Sequence, residues 1–316
     1  MSSGTADVLG LRKLRMDVSP TTAYLMLGER CQRNCAFCAQ ARGSRAGDNA
    51  LSRVAWPPFP ARDVLQSLKR AYRANKIGRA CFQVTVSEGY LEQTAQAIKR
   101  VRQTCNIPIC TSVAPHNMED VTSLLHAGAE RVTIALDAAC PRVYRTAKGG
   151  TWKRTLHLIE SSSSHHPGHI GTHLIVGLGE TEREMVERIQ YMVDLGVTVG
   201  LFAFTPIEGT SLENQEPPSL PHYRRVQVAL WLISQKMARA TDFCYESKGR
   251  LKDYGPVTAA LPRLLTRGEA FRTAGCQDCN RPYYNERPGS ILYNYPRPMT
   301  SEEVAGALDD LHMITE

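Results

Sequence analysis

TAYLMLGERCQRNCAFC, residues 22–38, runs from a short apolar strand into three thiols, Cys31, Cys35 and Cys38, placed within eight residues. A loop with this spacing can wrap three corners of an iron–sulfur cubane while leaving the fourth iron without a protein ligand. The open iron gives the spacing its chemical meaning, because it can chelate the amino and carboxylate groups of a small molecule. Structural zinc is the competing reading. Such zinc sites are closed by four ligands, however, and no fourth Cys or His lies close by in the sequence.

Outward from this loop, apolar strand-like runs alternate with stretches of helical periodicity, as in repeated βα units. Strands are expected at 22–27, 80–86, 108–113, 131–136, 169–176, 197–204 and 241–245, and helices at 61–75, 91–103, 118–127, 151–161, 182–195 and 223–240. Seven strands separated in this way favour an α/β fold, a TIM-type (βα) barrel that is complete or partial, with its chemistry at the C-terminal ends of the strands. Two stretches break the alternation. Ser161 to Ser164, followed by His165 and His166, reads as a low-complexity connection, with a His-pair metal site as the alternative. Residues 268–298, rich in Pro, Tyr, Asn and Arg, read as an ordered irregular tail closing over the barrel. The expected division is an N-terminal segment (1–20), the barrel (21–267) and a C-terminal tail (268–316).

At 316 residues and 42% hydrophobic content the chain can bury one large core. It contains no apolar run long enough for a membrane helix and no signal-peptide h-region, so a cytoplasmic location is expected. Ten cysteines in such a chain point to metal or catalysis rather than to disulfides. The net charge of +7 is not gathered into one tract, so neither nucleic acid nor membrane is expected as a partner.

With CxxxCxxC at Cys31, Cys35 and Cys38, the sequence resembles the radical S-adenosylmethionine (SAM) superfamily, and within it the biotin synthase-like branch. The resemblance implies a site-differentiated 4Fe-4S cluster that binds SAM and cleaves it reductively to a 5'-deoxyadenosyl radical. Further segments follow in the family's order. Phe37 takes the place of an aromatic ring near the adenine, and Glu88, in a segment lacking the usual double glycine, that of the acidic group on the SAM amine. Asp137 reads either as a carboxylate facing the SAM ribose or as a helix cap. LIVGLGET, with Ile175, Gly177 and Glu180, and FTPIEGTSLEN, with Ile207, Gly209 and Thr210, resemble the adenine-contact segments of the fifth and sixth strands. No catalytic residue is assigned beyond the cofactor.

Of the other cysteines, Cys105 and Cys140 read as packed thiols. Cys81 in RACFQV and Cys110 in PICTSV resemble strands on which biotin synthase carries ligands of a sulfur-donating 2Fe-2S cluster. The match then fails, since the next ligand position is Gly171 and the late basic position is Tyr245, beside Cys244; biotin synthase proper is disfavoured. Cys276 and Cys279 form a CxxC turn able to face one metal, with structural zinc or a redox disulfide as alternatives.

FRTAGCQDCNRPYYNERP, residues 271–288, is similar to the tail of the two-component lipoyl synthases of archaea and some bacteria. That resemblance implies a second 4Fe-4S cluster on Cys276 and Cys279. Cys244 is the expected third ligand, with Cys110 or Cys81 serving if the tail folds deeper. It implies sulfur insertion into a protein-bound octanoyl chain. The implied partners are a lipoyl carrier domain or other octanoyl-lysyl protein, a second radical SAM lipoyl synthase subunit, and a reductant such as ferredoxin or flavodoxin. Arg281, Tyr283, Tyr284 and Arg287 either line an entrance for the octanoylated lysine or fasten the tail across the barrel mouth. The other readings are cofactor maturation, methylation or biotin synthesis by a biotin synthase-like enzyme, and a non-enzymatic iron–sulfur or zinc module.

Overall fold

Alternation along each strand sets the two faces of the sheet. Within Arg79–Val84, Ala80 and Phe82 enter the main core while Cys81 and Gln83 face an internal cavity. Within Thr198–Ala203, Val199 and Leu201 point to the core while Gly200 and Phe202 face the cavity. Helices must then cover the outer face. A computed structural model describes residues 1–286, 289–290 and 292–311. In chain order its elements are α1 (Ser3–Val8), β1 (Thr22–Leu27), β2 (Ala50–Leu51), β3 (Val54–Ala55), α2 (Ala61–Arg73), β4 (Arg79–Val84), α3 (Tyr90–Thr104), β5 (Ile109–Val113), α4 (Met118–His126), β6 (Arg131–Ile134), α5 (Pro141–Ala147), α6 (Trp152–His165), β7 (Ile170–Val176), α7 (Glu182–Asp194), β8 (Thr198–Ala203), α8 (Leu220–Ser234), β9 (Cys244–Tyr245), β10 (Leu251–Asp253), α9 (Leu261–Leu264) and α10 (Ser301–Asp309).

Six parallel strands form one sheet in the order β1-β4-β5-β6-β7-β8, so the sheet curls as a partial barrel with β1 and β8 as its edges. Leu68, Ile98, Leu124, Ile159, Met185 and Val226 project inward from α2, α3, α4, α6, α7 and α8 to the core. Burial of each such side chain contributes about 1.5–3 kcal/mol. The inner face differs from the filled interior of a complete TIM barrel. It carries Ser112, Thr133, Gly171, Thr198 and Gly200, too small to fill the space, and a cavity of about 260 Å³ remains.

The open edges are covered. α1 lies along β1, with the Ser2 amide donating to Tyr24 O at 3.0 Å and the Tyr24 amide donating to Thr5 Oγ1 at 2.9 Å. At the other edge, Asn285 in the tail donates to Ala203 O at 2.8 Å. Exposed edge groups are an aggregation liability, which these contacts remove.

Two expectations change. Residues 241–245 do not supply a seventh barrel strand: β9 pairs with β10 in an antiparallel hairpin outside the sheet. Ser161 to Ser164 lie inside α6, and His166 Nε2 sits 2.8 Å from Thr122 Oγ1, an ordinary polar contact rather than half of a His-pair metal site. The described residues of the 268–298 stretch are irregular as expected, apart from a short 3₁₀ turn at Glu269–Phe271, and α10 follows them. No helix among the described residues is long and apolar enough to cross a membrane.

Candidate active site

β1 ends at Leu27, and the chain turns at Gly28, where φ is +91°. A β-carbon there would lie 2.3 Å from Thr85 Oγ1, a hydroxyl that donates to Leu27 O and Glu29 O at 3.1 and 2.6 Å. Only glycine fits this turn. The cysteine loop beyond it is held from several sides. The Gln32 amide donates to Val86 O at 2.7 Å, the Ala36 amide to Ala147 O at 2.7 Å and the Leu212 amide to Ala36 O at 3.1 Å. The Val86 amide also donates to Cys31 Sγ at 3.4 Å. The loop is thus fixed at the C-terminal ends of the strands.

The donor set suits a metal cluster. Burial raises the pKa of the Cys35 thiol, against the pull of Lys148, and pushes that of Cys38 up to about 12, with neighbouring Cys35 adding to it. Enclosed thiols of this kind do not ionise alone; a cationic iron core beside them supplies what they lack. No three Cys, His, Asp or Glu side chains among the described residues close on one point as a single ion requires. A cubane, whose irons occupy separate corners, takes its thiolates from further apart.

Cys35, Phe37 and Cys38 line one end of the internal cavity, with Asp137, Ile175 and Ile207 along its wall. Asp137 has φ +64° and is 8% exposed, and its carboxylate lies 2.6 Å from Lys148 Nζ. The same ammonium donates to Ala135 O. The next helix, α5, starts after Cys140, so Asp137 does not cap it. Lys148 is a site residue that sequence reasoning missed, because a lone Lys at a helix C-terminus reads as a dipole partner.

Two of the expected residues stand outside the cavity lining. Glu88 is exposed beside the start of α3, outside the cavity lining. Gly177 also lies off the cavity: a β-carbon there would meet Pro218 Cδ at 2.7 Å, so chain packing rather than ligand approach demands the glycine. Glu180 accepts from the Gly177 and Leu178 amides at 2.7 and 3.0 Å, and burial raises its pKa despite those bonds. Gly209 O accepts from the Arg45 amide at 2.7 Å, tying the segment after β8 to the chain that follows the cysteine loop.

The opposite end of the cavity holds a second set of thiols. Tyr24, Cys81 and Cys110 stand at paired positions of β1, β4 and β5. The tail reaches them through the opening between β1 and β8. Asn280 Oδ1 accepts from the Thr21 amide at 2.9 Å, the Arg281 amide donates to Tyr24 Oη at 2.9 Å, and Thr21 Oγ1 donates to Asp278 O at 2.6 Å. Cys276 hydrogen-bonds with Cys110, and that bond together with burial raises its pKa strongly. Cys279 Sγ lies 3.6 Å from Tyr24 Oη and 3.3 Å from Arg281 Nη1. Close backbone approach makes room for this insertion: a β-carbon on Gly275, where φ is +141°, would sit 3.8 Å from Gly200 Cα.

Cys244, the expected third partner of the tail pair, is instead exposed on β9, hydrogen-bonded to Asp253 and outside the cavity. Residues 241–245 left the barrel and carried this thiol with them. Cys81 and Cys110 stand beside the tail pair in its place. Arg281 packs its guanidinium 4.1 Å from the centre of the Phe202 ring and donates to Ala274 O at 2.8 Å, while Tyr283 donates to Asp17 Oδ2 at 3.3 Å. Both contacts fasten the tail, and Tyr284 lines the cavity. Arg287 lies outside the described residues.

Residues 25–192, from β1 to α7, match the Radical SAM superfamily. The chain belongs to this superfamily. A biotin synthase from Sulfurihydrogenibium sp. (strain YO3AOP1) is 24% identical over 254 residues, covering 78% of this chain and 72% of that protein. A lipoyl synthase from Chlamydia muridarum is 27% identical over 230 residues, covering 67% and 70%. The solved structure of an FeFe-hydrogenase maturase from Carboxydothermus hydrogenoformans shares the fold, with a TM-score of 0.54 at 19% identity over 68% of this chain and 51% of that one. The chain is a radical SAM enzyme of the biotin synthase and lipoyl synthase type, and this family works with a 4Fe-4S cluster and SAM.

Proposed function

We propose that this enzyme inserts sulfur at an unactivated carbon of a protein-bound octanoyl chain, as a lipoyl synthase component. One observation carries the reading: Cys35 and Cys38 line the same cavity as Cys276 and Cys279. A carbon radical made at one end therefore has a sulfur-rich site facing it at the other. In this reading Cys31, Cys35 and Cys38 hold the SAM-cleaving cluster, and Cys276 and Cys279 hold a second 4Fe-4S cluster. When bound, these groups supply the 5'-deoxyadenosyl radical and the sulfur.

The chain's own residues do the positioning. Phe37, Ile175 and Ile207 form the apolar wall against which an adenine would pack. Lys148 holds the Asp137 carboxylate in place for a ribose hydroxyl. The tail plugs the opening between β1 and β8, which keeps water from a radical intermediate. The partners of this reading are an octanoyl-lysyl carrier protein, a second lipoyl synthase subunit, and ferredoxin or flavodoxin as reductant.

The test is product analysis after anaerobic reconstitution, with SAM, reductant and an octanoyl-lysyl peptide, and in parallel with a biotin precursor. Thiolated peptide and released 5'-deoxyadenosine are expected. Sulfur appearing only in the biotin precursor would replace this reading with biotin synthesis. Release of 5'-deoxyadenosine with neither thiolated, even with a partner subunit added, would leave maturation or methylation.

A further inference from the structure

Two arginines near the second set of thiols have no carboxylate to answer them. Arg281 is half-buried and lines the cavity, and among the described residues its side chain donates to Cys279 Sγ and to the carbonyls of Leu201 and Ala274. Arg131 donates to Gly168 O and reaches Cys276, and its Nε is buried without a partner. Neither forms an ion pair with a carboxylate among the described residues. A guanidinium left without a carboxylate favours an anion beside it, and these two meet the thiols from different sides, Arg281 at Cys279 within the cavity and the half-buried Arg131 at Cys276.

The thiols supply the donors for such an anion. Cys276 and Cys279 pack against the buried Cys81 and Cys110 in one cluster, in which Cys110 Sγ also donates to Ala80 O at 3.7 Å. Three separate pieces of chain, β4, β5 and the tail, bring the four sulfurs together. The Gly171 position, which would have to carry a ligand in a biotin synthase arrangement, is occupied in space by Arg131: its Cδ lies 3.3 Å from where a Gly171 β-carbon would stand. A single zinc ion suits the site poorly, because the thiols do not close on one point. A polynuclear cluster with four thiolates spans more space and carries net negative charge, which two guanidiniums offset.

We infer that Cys81, Cys110, Cys276 and Cys279 form a closed four-thiolate site for an iron–sulfur cluster, and that this cluster clamps the tail into the barrel. The inference rests on the second cluster of the proposed function and completes its ligand set without Cys244. Loss of the cluster frees the tail, and with it the plug between β1 and β8.

Iron and sulfide content of the full chain after anaerobic reconstitution tests the site. Wild type is expected to hold about eight irons, falling to about four in Cys81→Ala/Cys110→Ala and to the same level in Cys276→Ala/Cys279→Ala, which leaves the strands untouched. Cys244→Ala should keep about eight. The four remaining irons serve as the folding control, because a SAM-induced change in their EPR spectrum requires an intact barrel mouth. Proteolysis within residues 268–286 should be at least about tenfold faster in both double variants than in loaded wild type. An unchanged count in Cys81→Ala/Cys110→Ala, a loss of four irons in Cys244→Ala, or zinc in place of the second cluster overturns the site. The counts are read without acyl substrate. A chain holding both clusters but yielding no thiolated product defeats sulfur insertion and leaves the site standing, whereas thiolated product from a Cys81→Ala/Cys110→Ala variant that keeps all its iron does the reverse.

Discussion

At the scale of single residues, Asp137 and Lys148 show most clearly what sequence reading missed. The Asp137 position was readable, but its partner was not, since the whole of α5 separates the two in the chain. Their side chains are 11% and 6% exposed, and the strained φ of +64° at Asp137 is tolerated because the pair and the bridge to Leu174 over-determine it. Removing Lys148 leaves a buried carboxylate alone. Lys148→Ala is expected to lower unfolding free energy by about 3–5 kcal/mol in urea titration. Asp137→Ala/Lys148→Ala should cost less than the sum of the single changes, with a coupling of at least about 1 kcal/mol. Additive losses would show that the two groups act independently.

At the scale of elements, the strands and long helices were legible because burial on one or both faces writes a clear period into them. The failures are local and physical. In α6, Ser161 and Ser163 donate to the carbonyls of His157 and Glu160 at 2.7 and 3.0 Å, so polar side chains that favour turns were absorbed by the helix they interrupt. Residues 241–245 have the composition of a strand, yet the parallel sheet already ends at β8 and they pair only with β10. The cysteine loop depends on the turn that launches it. Gly28→Ala places a β-carbon against Thr85 and strains a left-handed position, a cost of about 1–3 kcal/mol. Its iron content is expected to fall in parallel with its melting temperature, whereas unchanged values for both would show that the turn does not set the loop.

For the whole molecule, the open barrel was foreseeable in class but not in its closure. The small Gly, Ser and Thr side chains of the inner face leave the cavity, and the tail closes it with Cys276, Cys279 and Arg281. The cysteine motif of the first site was legible because its spacing is local. The second was only half legible, because four sulfurs from distant parts of the chain meet only after folding, and the choice between Cys244 and the Cys81–Cys110 pair depended on which strand stayed in the sheet.

The central claim is that sulfur passes from the tail-side cluster to a carbon radical generated across the same cavity. The most direct measurement is a single turnover of the full chain reconstituted with isotopically heavy sulfide, given SAM, reductant and octanoyl-lysyl peptide in unlabelled buffer sulfide. The account predicts 5'-deoxyadenosine together with a peptide thiol carrying the heavy isotope; a thiol carrying only light sulfur, or 5'-deoxyadenosine without any peptide thiol, would contradict it.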